Sequence, residues 1–296
     1  MTFQNYVVAF LDVLGQSDAL RKLRRLPTTA QEGQDFRKAA KETVGKVLTL
    51  RKYFGGFFYG LERDKLDLTN WPPEWRGPFR ALEQTKCTMW GMSDFVVIAV
   101  PLSDKDEHCK DINGVLDMIL SINQSAVWAL AEGIVFRGGL DVGVAVPIGA
   151  ADEVYGPALV SAYQLESEVA DYPRVVVGDG LLAYLEAVTN QDPRTKHGEI
   201  AKQVAALCRS MIALDTDDRQ MLDFLGSGAW TAMGVPFPRE FVTTGHGFVE
   251  REYKRFQGAG DEKLACRYLR LLQYYERGSL DPPASANEHQ GNPADA

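Results

Sequence analysis

Two aspartates in apolar surroundings are the residues of this sequence best suited to chemistry. Asp12 lies in the stretch YVVAFLDVLG at residues 6–15, and Asp94 lies between apolar runs in MWGMSDFVVIAV at residues 89–100. A carboxylate at the end of a buried strand is costly to desolvate unless a cation or hydrogen bonds compensate it. Two such carboxylates together supply the hard oxygen ligands that Mg²⁺ and Mn²⁺ prefer. The pair predicts a divalent-metal site, whereas Asp12 alone would also suit a capping carboxylate at a strand-to-helix turn.

These two aspartates can meet only if the strands that carry them are neighbours in one sheet. The continuous apolar run before Asp12 is typical of a strand buried on both faces. Residues 85–90 and 95–100 are predicted to form a hairpin with Asp94 near its turn. Between the two strand regions, apolar spacing predicts helices at residues 16–26 and 30–53, a bend at the glycines that follow, and a loop at residues 70–78.

The order of elements continues with a long helix to about residue 132 and a strand at 134–146, which the run Arg137-Gly138-Gly139 interrupts. A helix opened by Gly156-Pro157 and another strand at 174–177 follow. We therefore predict an α+β fold for residues 1–190, with a βααββαβ mixed sheet that carries helices on one face and is related to the ferredoxin-like arrangement. Residues 191–277 are predicted to form a mostly helical extension packed on this domain, and residues 278–296 a disordered tail.

Composition narrows the classes of function. The net charge of −8 argues against a nucleic-acid partner, and the basic run at residues 21–25 is expected to be a solvated helix face. The four cysteines form no CxxC pair, which favours reduced thiols in the cytoplasm. No apolar run approaches the roughly 18 residues that a membrane span needs, so no membrane partner is expected.

The order of elements, with one aspartate ending the first strand and another in the hairpin, resembles the catalytic domain of the class III nucleotide cyclases. The resemblance covers roughly residues 5–190, and its strongest parts are FLDVLG at 10–15 and MSDFVV at 92–97. The stretches FRGGLDVG at 136–143 and AYQLE at 162–166 support it. It implies two divalent ions, Mn²⁺ or Mg²⁺, held by Asp12, Asp94 and the backbone carbonyl of Val13. It also implies that the amides through Leu14 and Gly15 bind a triphosphate, as the positive end of a following helix would favour.

Several positions depart from the cyclases that make cyclic AMP. Thr88 stands where those enzymes carry an adenine-reading lysine, and Glu153 stands where they carry a base-reading aspartate. Their ribose-positioning asparagine and phosphate-binding arginine are also missing, near residues 160 and 164. Arg137 and Arg174 are the candidates to replace the lost cation, unless they simply bridge strands.

The sequence, with these differences from the cyclases that make cyclic AMP, is similar to the pyrimidine cyclases of the Pycsar antiphage systems. The resemblance implies conversion of UTP or CTP to a 3′,5′-cyclic nucleotide, an alarm signal that activates a separate effector protein in antiphage defence. We expect UTP to be favoured, because the uracil N3–H can donate to Glu153 whereas the cytosine N3 accepts. Tyr53 is a candidate to narrow the base pocket against purines, although a core position is the competing interpretation.

The family builds each site at a homodimer interface, which implies that Asp12 and Asp94 come from one protomer, and that Glu153 and the helix at residues 158–166 come from its partner. Other functions remain open from sequence alone. They are a cytidylate or purine cyclase, a catalytically silent nucleotide-binding regulatory module, and a relative of the polymerases or diguanylate cyclases. The absence of a GG[DE]EF-type hairpin disfavours the last of these.

Overall fold

The computed structural model describes residues 2–16, 20–21, 23–60, 66, 68–69, 71–80, 85–103, 108–149, 153–233 and 237–278. Apart from Gly278, the predicted disordered tail lies outside these residues. Part of the predicted helix at 16–26 and the predicted start of the long helix, at residues 104–107, also lie outside them.

A mixed sheet forms the centre of the described fold and confirms the predicted α+β class. Its strands are β1 (Gln4–Val13), β2 (Thr88–Trp90), β3 (Phe95–Leu102), β4 (Phe136–Ile148), β5 (Glu153–Tyr155), β6 (Val175–Val177), β7 (Ile212–Leu214) and β8 (Gln220–Leu222). The strand order is β2-β3-β1-β4-β6-β8-β7, and β5 pairs with β4. The β4–β6 pair is parallel, and the other pairs are antiparallel. The long strand β1 therefore lies between β3 and β4, where it is covered on both edges.

Helices connect the strands in the predicted order, except that the helix at Pro73–Arg80 was not predicted. They are α1 (Ala30–Ala40), α2 (Lys46–Gly60), α3 (Pro73–Arg80), α4 (Cys109–Ala131), α5 (Pro157–Gln164), α6 (Asp179–Asn190), α7 (Lys196–Ser210), α8 (Ser227–Met233), α9 (Arg239–Gly258) and α10 (Glu262–Arg277). A π-helical turn at Lys41–Gly45 joins α1 to α2, and another at Leu165–Val169 extends α5.

Both faces of the sheet are covered by helices, so the prediction of helices on one face is wrong. Alternate residues of β1, including Leu11, pack into the main core with α2, α4 and α7. The residues between them, including Phe10, pack into a second cluster with Ala158 and Ala162 of α5. Side chains alternate between the faces of a strand, so the continuous apolar run of β1 needs apolar cover on both sides.

Gly138 and Gly139 lie inside β4 and do not interrupt it, contrary to the prediction. A Cβ atom on Gly139 would lie 2.2 Å from the carbonyl oxygen of Ala162, and one on Gly138 would lie 2.6 Å from a methyl group of Leu11. Glycine within a strand often marks a place where another part of the chain approaches closely. Gly139 therefore lets α5 lie directly on β4, and Gly138 leaves room for Leu11 of the neighbouring strand β1.

Two local predictions fail because packing outweighs propensity. Helix α2 continues through Gly55 and Gly56, where a bend was predicted, because Phe54 and Phe58 one turn apart are both buried and their rings stack at 5.6 Å. Their burial offsets the roughly 1 kcal/mol that each helical glycine costs. Helix α3 forms where a loop was predicted, since Pro73 occupies its first turn, where proline is tolerated, and Phe79 is fully buried.

The C-terminal part of the described chain continues the same sheet and core. The predicted extension is mostly helical, with α7, α8, α9 and α10, and it also adds the short strands β7 and β8 to the sheet. Leu271 and Tyr275 of α10 are buried in one cluster with residues of β1 and α4. The predicted boundary at residue 190 falls at the end of α6, and residues on both sides of it share that cluster.

Candidate functional site

The strands that carry Asp12 and Asp94 are neighbours, as the sequence predicted. In the antiparallel β1–β3 pair Asp12 lies opposite Phe95, the residue that follows Asp94. The backbone N–H of Val13 donates a hydrogen bond of 2.9 Å to the backbone carbonyl of Asp94. This register fixes the two aspartates side by side at one end of the sheet.

A cation and a third carboxylate adjoin Asp12. Arg137 lies opposite Asp12 in the β1–β4 pair, and its Nε is 4.0 Å from Oδ2 of Asp12. The same Nε is 2.5 Å from Oε1 of Glu166, which lies in the π-helical turn after α5 and is 3% exposed. The resemblance implied that the helix at residues 158–166 serves the partner's site, but Glu166 adjoins Asp12 of its own protomer. The close approach of α5 to β4, which Gly139 permits, brings Glu166 to the site.

Burial and mutual repulsion make ionisation of the Asp12 and Glu166 carboxyl groups costly. The pKa of Asp12 is raised from 3.8 to about 7, first because burial disfavours the anion and then because Glu166 and Asp94 lie near, while Arg137 opposes the shift. Burial is also the main reason that the pKa of Glu166 is raised, again against the influence of Arg137. A divalent cation would relieve this repulsion by neutralising the clustered charge.

The donor set at this end of the sheet fits a hard divalent ion. Asp12 and Asp94 supply carboxylate oxygens, and a backbone carbonyl such as that of Val13 completes the kind of oxygen set that Mg²⁺ and Mn²⁺ take. Among the described residues, no group of three or more His, Cys, Asp or Glu side chains is arranged as a metal cluster. The fit therefore rests on the two aspartates together with the backbone.

The amides predicted to bind a triphosphate are in part engaged in the sheet. The N–H of Leu14 donates a hydrogen bond of 2.8 Å to the carbonyl of Val135, so the prediction for Leu14 is corrected. Gly15 is exposed and has a φ of +79°, a conformation that favours glycine. Of Leu14 and Gly15, only Gly15 is exposed, so it is the predicted phosphate-binding position that remains accessible.

Gln16 is a residue that sequence analysis did not single out. It follows Gly15 directly and is 2% exposed, and neither its Oε1 nor its Nε2 has a hydrogen-bond partner among the described residues. A buried amide without a partner is costly. Its position just after the end of β1 makes Gln16 a candidate to contact a bound ligand.

The residues proposed to read the base lie at different distances from the aspartates. Thr88 lies in β2, two strands from β1, and its hydroxyl donates a hydrogen bond of 3.4 Å to the carbonyl of Ala99. Glu153 is exposed at the start of β5, opposite Ile148 of β4. Among the described residues, the structure shows no contact between Asp12 and the side chain of Thr88 or Glu153 of the same protomer.

Tyr53 lies across the sheet from Asp12. It belongs to α2, which covers the opposite face, and its hydroxyl donates a hydrogen bond to Glu132 while its ring stacks on Phe57. Its pKa is raised to about 12, mainly by burial and then by Glu132. The competing interpretation of Tyr53 as a packing residue agrees with this position, and the structure does not bring it to the aspartates.

Arg174 does not reach the site, which corrects its prediction as a substrate-binding residue. Its guanidinium group is 0% exposed and pairs with Asp215 and Asp217, which lie between β7 and β8. The ring of Tyr172 lies between Arg174 and Arg270, at 4.8 and 4.6 Å from the two guanidinium carbons. Arg174 therefore ties the start of β6 to the β7–β8 turn and to α10, which is the bridging role left open by the sequence.

This buried ionic network predicts a loss of stability in acid. Burial alone would raise the pKa of Asp215, but hydrogen bonds from Tyr172 and Arg277 bring it down to about 2, and hydrogen bonds from Arg174 lower the pKa of Asp217. A carboxylate whose pKa is lower in the folded state stabilises that state above its unfolded pKa, here 3.8, and loses that contribution as the pH falls through the folded pKa.

We therefore expect the free energy of unfolding, measured with urea, to fall steeply between about pH 4 and pH 2. Asp217→Asn should show a shallower fall over the same range, because one of the linked carboxylates is gone. A wild-type free energy that stays constant over this range would contradict the assignment.

Comparison with known proteins assigns no family: no protein-family model matches the chain, and no curated protein matches it. The sequence predicted no apolar run of membrane-spanning length, but in the described part of the chain one helical segment, Asp111–Ala131 of α4, is long and apolar enough to cross a membrane by length and composition alone. Most of this segment is buried inside the fold, and the core helix of a soluble protein passes the same test.

Proposed function

We propose that this protein is a nucleotide cyclase that converts UTP to 3′,5′-cyclic UMP and diphosphate. The observation that carries the proposal is the placement of Asp12 and Asp94 side by side at the ends of neighbouring antiparallel strands. The order of the first four strands, β2-β3-β1-β4, supports it, because helices follow β1 and β3 as in the ferredoxin-like arrangement that the cyclase resemblance implies.

In the proposed site Asp12 and Asp94, with the carbonyl of Val13, would hold Mn²⁺ or Mg²⁺. The bound metal ions would lower the pKa of the ribose 3′-hydroxyl and neutralise part of the triphosphate charge. The residues of the protein position the two carboxylates that would bind the metal ions. The hydrogen bond between Val13 and Asp94 fixes the spacing of the two carboxylates, and the sheet holds both at one edge of the fold.

The reaction needs little covalent chemistry from the protein. The 3′-oxygen attacks the α-phosphorus and forms the cyclic ester bond, the bond to the β-phosphate oxygen breaks, and diphosphate leaves while the hydroxyl proton passes to solvent. Positioning and charge neutralisation then supply most of the rate.

A homodimer would bring a base-reading residue to the metal-binding residues. Glu153 is exposed, and three large side chains near it on the outer surface of β5 and α5 are at least half exposed: Tyr155, Val160 and Tyr163. An exposed apolar surface of this kind suits contact with a second copy. In this proposal Glu153 of one protomer accepts the uracil N3–H at the site of the other.

The base preference is tested by competition among UTP, CTP, ATP and GTP at equal concentration with Mn²⁺. We expect cyclic UMP to dominate, because Thr88 and Glu153 leave the polar groups of adenine unmatched and each buried unmatched group costs about 1–3 kcal/mol. Glu153→Gln should reduce the preference for UTP over CTP, since the amide can both donate and accept.

Products are resolved by chromatography. A dominant cyclic AMP or cyclic GMP peak would overturn the pyrimidine assignment. A dominant cyclic CMP peak would overturn the role given to Glu153 and leave the pyrimidine class in place. The cyclic product would act on a separate effector protein, as the Pycsar resemblance implies.

A further inference from the structure

Arg137 lies between two carboxylates and is paired closely with one of them. Its Nε is 2.5 Å from Oε1 of Glu166 and 4.0 Å from Oδ2 of Asp12. The Glu166 side chain is 4% exposed and the Asp12 side chain is 24% exposed. The guanidinium group of Arg137 therefore lies closer to the Glu166 carboxylate than to the Asp12 carboxylate. Asp12 is left with the longer contact.

Arg137 forms a close ion pair with Glu166, and its Nη1 also donates a hydrogen bond of 3.4 Å to the backbone carbonyl of Ala170. Neither Nε of Arg137 nor Oε1 of Glu166 has a directed hydrogen bond among the described residues. A guanidinium group can also pair with a carboxylate in a bidentate manner, which occupies both carboxylate oxygens. If Glu166 were neutral, the nearest anion to this Nε would be Asp12.

We propose that Glu166 is a positioning residue of the metal site, which holds Arg137 away from Asp12 and so leaves the Asp12 carboxylate open to a divalent cation. This inference rests on the proposed function, because it takes Asp12 as a metal ligand. Glu166 acts through Arg137 and does not itself bind the metal ion.

A double-mutant cycle separates this role from a direct effect of charge. Loss of the negative charge of Glu166 would weaken cation binding to some extent by itself, whether or not Arg137 is present. The positioning role requires Arg137, so it disappears when Arg137 is replaced. The interaction between the two substitutions therefore measures the positioning role alone.

Mn²⁺ binding to the full chain is measured by titration without nucleotide, following free Mn²⁺ by electron paramagnetic resonance. We expect Glu166→Gln to weaken Mn²⁺ binding roughly tenfold, the size of coupling found between contacting charged residues. In an Arg137→Gln background the same substitution should change the affinity by no more than about twofold to threefold. Glu168→Gln, an exposed site on the same turn, is the matched control and should bind as the wild type does.

The Mn²⁺ titrations test the metal site and the positioning role of Glu166 separately. Wild-type protein that binds no Mn²⁺ removes the proposed metal site and this inference with it. Wild-type binding that Glu166→Gln leaves unchanged overturns the inference and keeps the metal site. Equal weakening in both backgrounds also overturns it, because Glu166 would then act by its own charge. Should Glu166→Gln fail to fold, Arg137→Gln decides alone: it is expected to bind Mn²⁺ at least as tightly as the wild type, and weaker binding overturns the inference.

Discussion

Asp12→Ala is expected to lose cyclic-nucleotide formation by roughly 10³-fold or more, because removal of a single preorganised electrostatic contact typically costs about 10²–10³-fold in rate and Asp12 is proposed to hold the metal ions themselves. Asp94→Ala should lose activity to a similar extent. The measurement is the initial rate of cyclic UMP formation from UTP with saturating Mn²⁺.

Both variants should stay folded. The pKa of Asp12 is raised to about 7, so its anion destabilises the folded state near neutral pH and its removal does not weaken the fold there. Asp192→Asn, at an exposed position after α6, is the matched control and should keep wild-type activity. Retention of activity by both Asp12→Ala and Asp94→Ala would refute the two-carboxylate site.

Arg174→Met is expected to lower the free energy of unfolding by about 3 kcal/mol, the lower end of the cost of breaking a buried ion pair, because among the described residues Asp215 keeps only Arg277 as a cation and Asp217 only Arg270. The side chains of Arg174 and Asp215 are both 0% exposed, so water cannot replace the lost cation without opening the fold. Urea unfolding at pH 7 measures the change.

The exposed ion pair between Lys254 and Glu250 on α9 gives a matched control. Lys254→Ala removes a cation of the same charge from a solvated pair and should cost roughly 0–1 kcal/mol. Similar costs for the two substitutions would contradict the structural role given to Arg174.

The sequence was informative wherever apolar pattern decides the structure. The apolar runs around Asp12 and Asp94 predicted two buried strands, and the requirement that both carboxylates share one site predicted that these strands are neighbours. Most of the order of strands and helices to residue 190 also followed from periodicity, but helix α3 and the short strand β5 did not.

The parts that escaped prediction depend on contacts between residues distant in sequence. Nothing near Arg174 in the sequence indicates that Asp215 will neutralise it, so a cation in a strand looked available to a substrate. Nothing near Glu166 in the sequence marks it as a site residue, because its pairing with Arg137 exists only after α5 packs on Gly139 of β4. Local propensity predicted that Gly138 and Gly139 interrupt the strand, whereas in the fold both glycines lie within β4 and permit close packing.

The most direct test of the proposed activity is the stoichiometry of products when purified protein is incubated with UTP and Mn²⁺. Cyclic UMP and diphosphate are measured together, the first by chromatography with mass detection and the second by an enzyme-coupled assay. An intramolecular attack of the 3′-oxygen predicts equal amounts of the two products and no linear UMP. Linear UMP with diphosphate, or no turnover of any of the four nucleoside triphosphates, would contradict the proposal that Asp12 and Asp94 serve a nucleotide cyclase.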